Sequence, residues 1–463
     1  MSWLILCGRC VEAMDAALIR RFADQRIPRY TSYPTAPNFS ATVGARDARA
    51  WLAALDPDAA LSLYLHVPFC SALCWYCGCH TKVPGHDEPI ARYVEALERE
   101  IISVAALLPS KMRVVHLHWG GGTPSIVGPT RFRRVMELIR HRFAVAGEAE
   151  LAIEIDPRRL SAELVAALSA EGINRASLGV QSFDPAVQKA INRVQSFAAT
   201  ARAVDLLRSA GIAAINFDLL YGLPHQTVAS CSETVRRAVT LAPDRLAVFG
   251  YAHVPAMKPH QERIDAAALP GAVERHTQAE AIGIALRQEG YLAIGLDHFA
   301  RPADELAGAL AAKRLRRNFQ GYTTDSALAL IGFGASAISA LPQGYLQNTP
   351  RIGTYGEAAA AGGLATARGL VLDADDCLRR DVIDHLMCYL AADLGEIATR
   401  HGAETAAFAP EWRELEHLME LEIVRLQGNR IEIGDEYRMF VRVIAAVFDA
   451  YLRRAAGTYS RAI

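Results

Sequence analysis

Four of the nine cysteines, Cys70, Cys74, Cys77 and Cys79, fall within a stretch of ten residues. They sit in His66-Val67-Pro68-Phe69-Cys70-Ser71-Ala72-Leu73-Cys74-Trp75-Tyr76-Cys77-Gly78-Cys79, a C-x3-C-x2-C spacing with a fourth cysteine two residues beyond. Thiolates this close together on one loop suit soft metals, chiefly zinc or an iron–sulfur cluster. A structural zinc site usually recruits a second pair of Cys or His at a distance. No separate C-x2-C pair stands out downstream, and Cys7-x2-Cys10 lies at a chain end. Three cysteines on a loop would hold a four-iron cluster at three irons and leave the fourth open to a substrate or cofactor. Cys231, Cys377 and Cys388 lie in apolar, helix-like surroundings and read as core packing. An odd cysteine total argues against a disulfide framework.

The residues that could work with such a loop recur at the ends of short apolar runs. These runs are Leu61–Val67, Arg113–Trp119, Leu151–Ile155, Ala176–Val180, Ala213–Leu220 and Leu246–Tyr251. The cysteine loop follows the first and Gly120-Gly121-Gly122-Thr123-Pro124 follows the second. Glu154 and Asp156 close the third, Gln181 follows the fourth, Asp218 lies late in the fifth, and Ala252-His253 follow the sixth. Between them lie helix-like segments, among them Pro89–Leu108, Pro129–Arg142, Ser161–Ala170, Ala198–Ala210 and Ser230–Thr240. Alternating strands and helices imply βαβ units, right-handed crossovers and a parallel sheet. Six units are enough to curl into a partial (β/α)6 barrel, an α/β fold whose C-terminal strand ends carry the active site. A glycine run there lets a ligand approach the backbone closely. Tyr291–Leu296 is a further strand-like run that would extend the edge.

Composition sets outer limits. The chain has 463 residues, Lys+Arg 49 against Asp+Glu 50, 51% hydrophobic and 21% charged residues. That allows two or three domains, or one large barrel with additions. It excludes a disordered chain and gives no electrostatic support for a nucleic-acid partner. The longest uncharged run, Ser326–Pro350, is mainly apolar only from Ala327 to Leu341, short of the ~20 residues of a membrane span. It reads as a core segment or the wall of a site. The N-terminus lacks the features of a signal peptide, so a cytoplasmic protein without a membrane span is expected.

Residues 1–60 read as an N-terminal extension of mixed helix and loop, in which Pro28, Pro34 and Pro37 prevent a continuous helix. Residues 61–300 read as the barrel and 301–369 as a barrel-edge and substrate-site segment. Residues 370–463 read as a small helical, winged-helix-like domain. It would hold a helix over Asp375–Leu390, a hairpin of Glu422–Leu426 and Arg430–Ile433 joined by Gln427-Gly428-Asn429, and a helix over Glu436–Leu452. With no basic excess, this module is expected to pack against the barrel rather than to bind DNA.

The C-x3-C-x2-C loop after the first strand, with Gly-Gly-Thr-Pro after the second, resembles the radical S-adenosylmethionine (SAM) enzymes. Among them, the chain is similar to the oxygen-independent coproporphyrinogen III oxidase (dehydrogenase) family. The matching pieces are Tyr30-Thr31-Ser32-Tyr33-Pro34-Thr35, the C-x3-C-x2-C-x-C loop, and His118-Trp119-Gly120-Gly121-Gly122-Thr123-Pro124. They continue with Gly179-Val180-Gln181, Asp218-Leu219-Leu220-Tyr221-Gly222-Leu223-Pro224, Asp297-His298-Phe299-Ala300-Arg301-Pro302 and Asn318-Phe319-Gln320-Gly321-Tyr322-Thr323-Thr324. The similarity runs from about Met14 to the C-terminus. Residues 1–13 fall outside it and read as a start codon placed too early, which leaves Cys7 and Cys10 without a function.

The resemblance implies that Cys70, Cys74 and Cys77 ligate a [4Fe–4S] cluster whose open iron chelates SAM. It implies two neighbouring SAM molecules, one lined by Tyr64, Gly121, Glu154 and Ile338. The other would be lined by Tyr76, Gly122, Thr123, Gln181, Arg193, Asp218 and Ala252. Carboxylates can hold ribose hydroxyls or the positive charges of SAM, and Arg193 can pair a carboxylate. The implied reaction begins with reductive cleavage of SAM to a 5′-deoxyadenosyl radical. The radical takes a hydrogen from the β-carbon of a propionate of coproporphyrinogen III, and loss of carbon dioxide and one electron leaves a vinyl group. Two propionates react, giving protoporphyrinogen IX in anaerobic haem biosynthesis. A low-potential electron donor and an electron acceptor are implied partners, and a monomer is expected. Arg29, Arg301, Lys313, Arg314, Arg316 and Arg317 are candidates to meet the four substrate carboxylates, although the 313–317 run also reads as a solvated helix face.

Two assignments carry alternatives. Cys79, beside the site but no iron ligand in this family, could donate a hydrogen atom or proton or shape the pocket; it could equally be a buried packing thiol. His66 could act on a substrate propionate, or be satisfied by a backbone carbonyl. Trp75-Tyr76 read as shielding the cluster and stacking on adenine. Rival functions are a haem-binding chaperone on the same barrel, a radical SAM enzyme that modifies haem, and a structural zinc protein. The Tyr30–Thr35 region and Cys79 count against the first, and the Asp297–Pro302 and Asn318–Thr324 segments against the second.

Overall fold

The computed structural model describes residues 16–452, 459, 461 and 462; residues 1–13, with Cys7 and Cys10, lie outside them. Six parallel strands lie side by side in chain order: β1 (Leu61–Val67), β2 (Arg113–Gly121), β3 (Ala144–Ile155), β4 (Arg175–Gln181), β5 (Ala214–Tyr221) and β6 (Arg245–Gly250). Helices Glu88–Ala105, Gly128–Arg142, Ala162–Ala170, Phe197–Ser209 and Val228–Thr240 cross between them. Ser161, Ser196 and Thr227 cap three of these helices by accepting a backbone N–H from the first turn. Strands covered by helices are buried, so they read as continuous apolar runs. The first half of β3 departs from that rule. It is small and polar, its pairing with β2 shifts register between Val114 and His116, and the sequence revealed only Leu151–Ile155.

The sheet continues at both edges to twelve strands. Beyond β6 lies antiparallel β8 (His298–Ala300), with β7 (Leu292–Ile294) outermost. The strand-like run at Tyr291–Leu296 thus sits at the edge, with β8 between it and the barrel. β9 (Arg316–Asn318) and β10 (Gly321–Thr323) form a separate hairpin. On the other side β11 (Ala329–Phe333) runs parallel to β1, followed by antiparallel β12 (Ile338–Leu341), β13 (Gly344–Asn348) and β14 (Thr366–Val371). The uncharged run Ser326–Pro350 is therefore three strands. No helix among the described residues is long and apolar enough to cross a membrane.

The main core fills the space between sheet and helices around Leu63, Leu65, Trp119, Phe132, Ile153, Leu178 and Phe217. A second core joins the two ends of the chain: Ile19, Phe22, Ile27, Tyr30 and Tyr33 pack with Leu378, Val382, Leu386, Phe408, Phe440 and Phe448. The C-terminal part holds helices Ala374–Tyr389, Leu394–Arg400 and Ala409–Glu420. Strands β15 (Ala391–Asp393), β16 (Val424–Gln427) and β17 (Arg430–Ile433) form a small sheet in the order β15-β17-β16. The hairpin is in place; β15 is an addition.

The single helix expected over Glu436–Leu452 is not formed. Asp435–Phe440 is a 3-10 helix, and an α-helix covers only Val441–Val447. The carboxylate of Asp449 accepts the N–H groups of Tyr451 and Leu452, a local bond that competes with helix continuation.

Candidate active site

The cysteine loop leaves β1 at Val67 and is knitted to the glycine turn after β2. Gly122 donates its N–H to Val67 at 2.9 Å, and Thr123 donates to Phe69 at 2.8 Å. A Cβ on Gly122 would lie 2.5 Å from Thr81 Oγ1 and 2.6 Å from the Phe69 oxygen, so only glycine permits this approach. The middle of the loop is tied down by Asn192 Nδ2, which donates to Leu73 O at 2.9 Å. Its far end is gripped by the segment 258–261. Lys258 Nζ donates to Cys79 O at 3.0 Å, His260 Nε2 to Cys77 O at 2.8 Å, and Gln261 Nε2 to Tyr76 O at 3.1 Å. Sequence reasoning missed this clamp. It acts through backbone carbonyls 179 to 185 residues away, a contact that leaves no local signal.

The sulfurs are themselves hydrogen-bonded. Thr81 Oγ1 and Thr123 Oγ1 donate to Cys70 Sγ at 3.2 and 3.4 Å, and Arg193 Nη1 lies 3.6 Å from Cys74 Sγ. Burial pushes the Cys70 thiol up. A hydrogen bond with the Cys79 thiol brings Cys77 down to about 7, against burial. Among the described residues no three His, Cys, Asp or Glu side chains converge on a point that could hold a single ion. An iron–sulfur cluster asks for something else: one thiolate for each ligated iron, at separate corners, with donors aimed at the sulfurs. Cys70, Cys74 and Cys77 supply three thiols on one loop, and donors reach the sulfurs of Cys70 and Cys74, the donor chemistry such a group asks for.

The strand ends bring the other expected residues to the same end of the barrel. Glu154 accepts from the N–H of Gly121 and from His118 Nε2, each at 3.2 Å. Asp218 accepts from Asn216 Nδ2 at 3.0 Å and Ser177 Oγ at 3.2 Å; burial, then the charge of Glu154, push its carboxyl up to about 6. Arg193 donates to Gly179 O at 2.7 Å and lies 3.7 Å from Asp156. Burial opposes its charge, but Tyr76, Asp156 and Cys74 outweigh it. Gln181 adopts φ 67° where β4 ends. Trp75 and Tyr76 pack against an apolar group of Val187, Ile191, Leu223 and Tyr251, and Ala252 accepts from Gln261. Ile338 begins β12 beside Gly332, the residue that pairs with Tyr64 of β1. Both ring nitrogens of His66 are engaged: Nε2 donates to His80 O at 3.2 Å, and Nδ1 accepts from Tyr64 at 3.1 Å. Burial lowers its pKa, which keeps the ring neutral.

A cavity of about 1420 Å³ opens beside Cys79 and the end of β6. Tyr251, Ala252, Phe299 and Phe319 form part of its wall; Arg26, Arg29 and Thr31 close it from the N-terminal segment, and Tyr437, Arg442 and Arg461 from the C-terminal one. Of the basic residues expected at a substrate, Arg29 and Arg317 line it. Arg301 does not: its guanidinium lies over the Tyr291 ring and donates to Pro243 O. Lys313, Arg314 and Arg316 stand exposed outside it, as a solvated stretch. Arg275 and Arg442, from the helices Ala272–Gln288 and Val441–Val447, line the cavity and were not foreseen.

Residues 64–238 match the radical SAM superfamily. The chain is 54% identical over 450 residues to the oxygen-independent coproporphyrinogen III oxidase of Bradyrhizobium diazoefficiens, covering 97% of this chain and 100% of that one. Identity to the protein of the same name from Paracoccus denitrificans is 43%, over 94% and 96% of the two chains. The solved structure of the Escherichia coli coproporphyrinogen III oxidase, described as a radical SAM enzyme, matches with a TM-score of 0.87 at 39% identity, covering 92% of this chain and 100% of that one. With identity this high over nearly the whole length, and the cysteine loop seated at the open end of its barrel, the chain belongs to the oxygen-independent coproporphyrinogen III oxidases, a family of radical SAM enzymes.

Proposed function

We propose that this chain oxidatively decarboxylates two propionate side chains of coproporphyrinogen III to vinyl groups, giving protoporphyrinogen IX. The observation that carries this reading is the cavity, which joins Cys79 on the cysteine loop to a group of arginines suited to a polycarboxylate. In this reading Cys70, Cys74 and Cys77 hold a [4Fe–4S] cluster, and two SAM molecules bind around it. The cluster with SAM, when bound, supplies a hydrogen-abstracting 5′-deoxyadenosyl radical.

The chain's own groups do the rest. Tyr64, Gly121, Glu154 and Ile338 flank one SAM; Tyr76, Gly122, Thr123, Gln181, Arg193, Asp218 and Ala252 flank the other. The carboxylates of Glu154 and Asp218 face hydroxyls and positive charge. The cavity wall of Tyr251, Phe299 and Phe319 excludes water from the reacting side chain. Cys79 stands exposed at the cavity edge rather than buried as a packing thiol, and serves there as a hydrogen or proton donor. His66 positions the Tyr64 hydroxyl and the His80 carbonyl. The conversion is a net oxidation, so a low-potential donor and a separate acceptor take part.

An anaerobic assay tests this. Reconstituted protein is given SAM, a reductant, an acceptor and coproporphyrinogen III. Joint formation of vinyl product, carbon dioxide and 5′-deoxyadenosine is the expected result. 5′-Deoxyadenosine without vinyl product rejects the substrate and keeps the chemistry. Tight haem binding with neither product replaces this reading with a haem chaperone.

A further inference from the structure

Arg29, Arg275 and Arg442 line one cavity, and among the described residues none of them bonds a carboxylate. Arg29 Nη2 donates to Gly250 O at 3.1 Å. Arg442 donates to four backbone carbonyls: Ile27 at 2.6 Å, Pro28 at 2.9 Å, Ala462 at 3.0 Å and Arg461 at 3.3 Å. Arg275 lies over the ring of Tyr221, 5.8 Å from its centre, with Nε buried and unpartnered.

The three are neighbours. Arg275 Nη2 lies 3.2 Å from where a side chain on Gly250 would begin, beside the residue that Arg29 bonds. Burial lowers the pKa of Arg442 and Arg275; the charge of Arg29 adds to this at Arg442, and those of Arg461 and then Arg29 add to it at Arg275, against Tyr221. Asp297 stands 3.8 Å from nearby Arg317, and its charge also supports that of Arg29. Like charges gathered away from bulk water repel, and neutral carbonyls cancel only part of that cost. Gly222 keeps the arrangement open, because a Cβ there would come 2.5 Å from Arg275 Nη1. Asp297, Glu280, Asp435 and Glu436 also line the cavity, but arginines outnumber them there, and the planar fork of an arginine matches a carboxylate.

We propose that Arg29 and Arg275, with the charge of Arg442 beside them, form a carboxylate cradle that grips propionates of a tetrapyrrole and so turns another propionate toward Cys79. The inference rests on the proposed function and deepens it by naming the residues that recognise the substrate.

The test uses coproporphyrin III, the stable fluorescent tetracarboxylate, and its tetra-amide, which has the same framework without charge. Both are titrated into the full chain carrying its cluster. Arg275→Gln should weaken the tetracarboxylate about tenfold and the tetra-amide less than about twofold, with iron and sulfide content as the check on folding. Arg275→Lys, which keeps the charge but not the fork, should recover part of the loss. Arg29→Gln repeats the test on a second wall; Arg442 is unsuitable, since its loss would also free four carbonyls. Equal weakening of both ligands means a structural role and overturns the cradle. Unchanged tetracarboxylate binding in both variants overturns it while leaving the substrate intact. No coproporphyrin binding by the unsubstituted chain overturns the cradle and the substrate together.

Discussion

Asp218 holds its carboxyl near neutrality because burial and Glu154 both oppose ionisation. Below about 6 it is mostly protonated and, in the proposed site, offers no charge to SAM. SAM affinity should therefore rise with pH, weakening about fourfold from pH 7.5 to 5.5 by simple linkage to a single site at that pKa. Asp218→Asn should flatten the profile in equilibrium dialysis. Cys74→Ala should lower bound iron and abolish 5′-deoxyadenosine, because the loop then offers two of the three proposed ligands. At this scale the sequence was most legible where a side chain follows a strand: the cysteines, Glu154, Gln181 and Asp218 all land where the alternation puts them. Arg29 was visible beside the Tyr30–Thr35 motif. Arg275 was not, since it sits in a helix with no one-sided apolar pattern and faces a space that only tertiary structure creates.

Elements are held by polar bolts as much as by apolar packing. Glu100, on helix Glu88–Ala105, accepts from Tyr355 OH and Gly334 N–H at 2.7 Å and from Asn348 Nδ2 at 2.6 Å, joining that helix to β11 and β13. Burial pushes it up to about 7 against those bonds. A carboxyl raised on folding stabilises fully below its ordinary value near 4.5, and that contribution fades as pH rises through about 7. Denaturant unfolding should thus show stability falling between pH 5.5 and 8. Glu100→Ala, which strands three buried donors, should cost about 3 kcal/mol or more. The clamp at 258–261 is a second bolt: Gln261→Ala, freeing the carbonyls of Tyr76 and Ala252, should speed cluster loss on exposure to oxygen, followed by iron release. The six barrel strands could be read because helices cover them. The end of the chain misled, because apolar spacing continues past Val447 while Asp449 diverts the backbone.

The whole molecule closes its cavity with its two ends. Tyr30 OH bonds Asp449 at 3.0 Å, Arg317 Nε bonds Tyr30 O at 3.1 Å, and Arg442 holds Ile27 and Pro28. Arg442→Ala should loosen that seam and speed tryptic cleavage at Arg26 and Arg29 well before the barrel is cut. No apolar or charge pattern announced the seam, since it pairs residues 287 to 419 apart. It also imposes an order on biosynthesis. A ribosome has made all of β1–β6 by residue 250, but the second core cannot close until Phe448 has emerged. At ~5–20 residues per second that interval lasts on the order of ten seconds or more. Throughout it, the cavity beside Cys79 lacks the wall that Tyr437, Arg442 and Arg461 complete, so the nascent barrel holds its cysteine loop before it has a closed place for substrate.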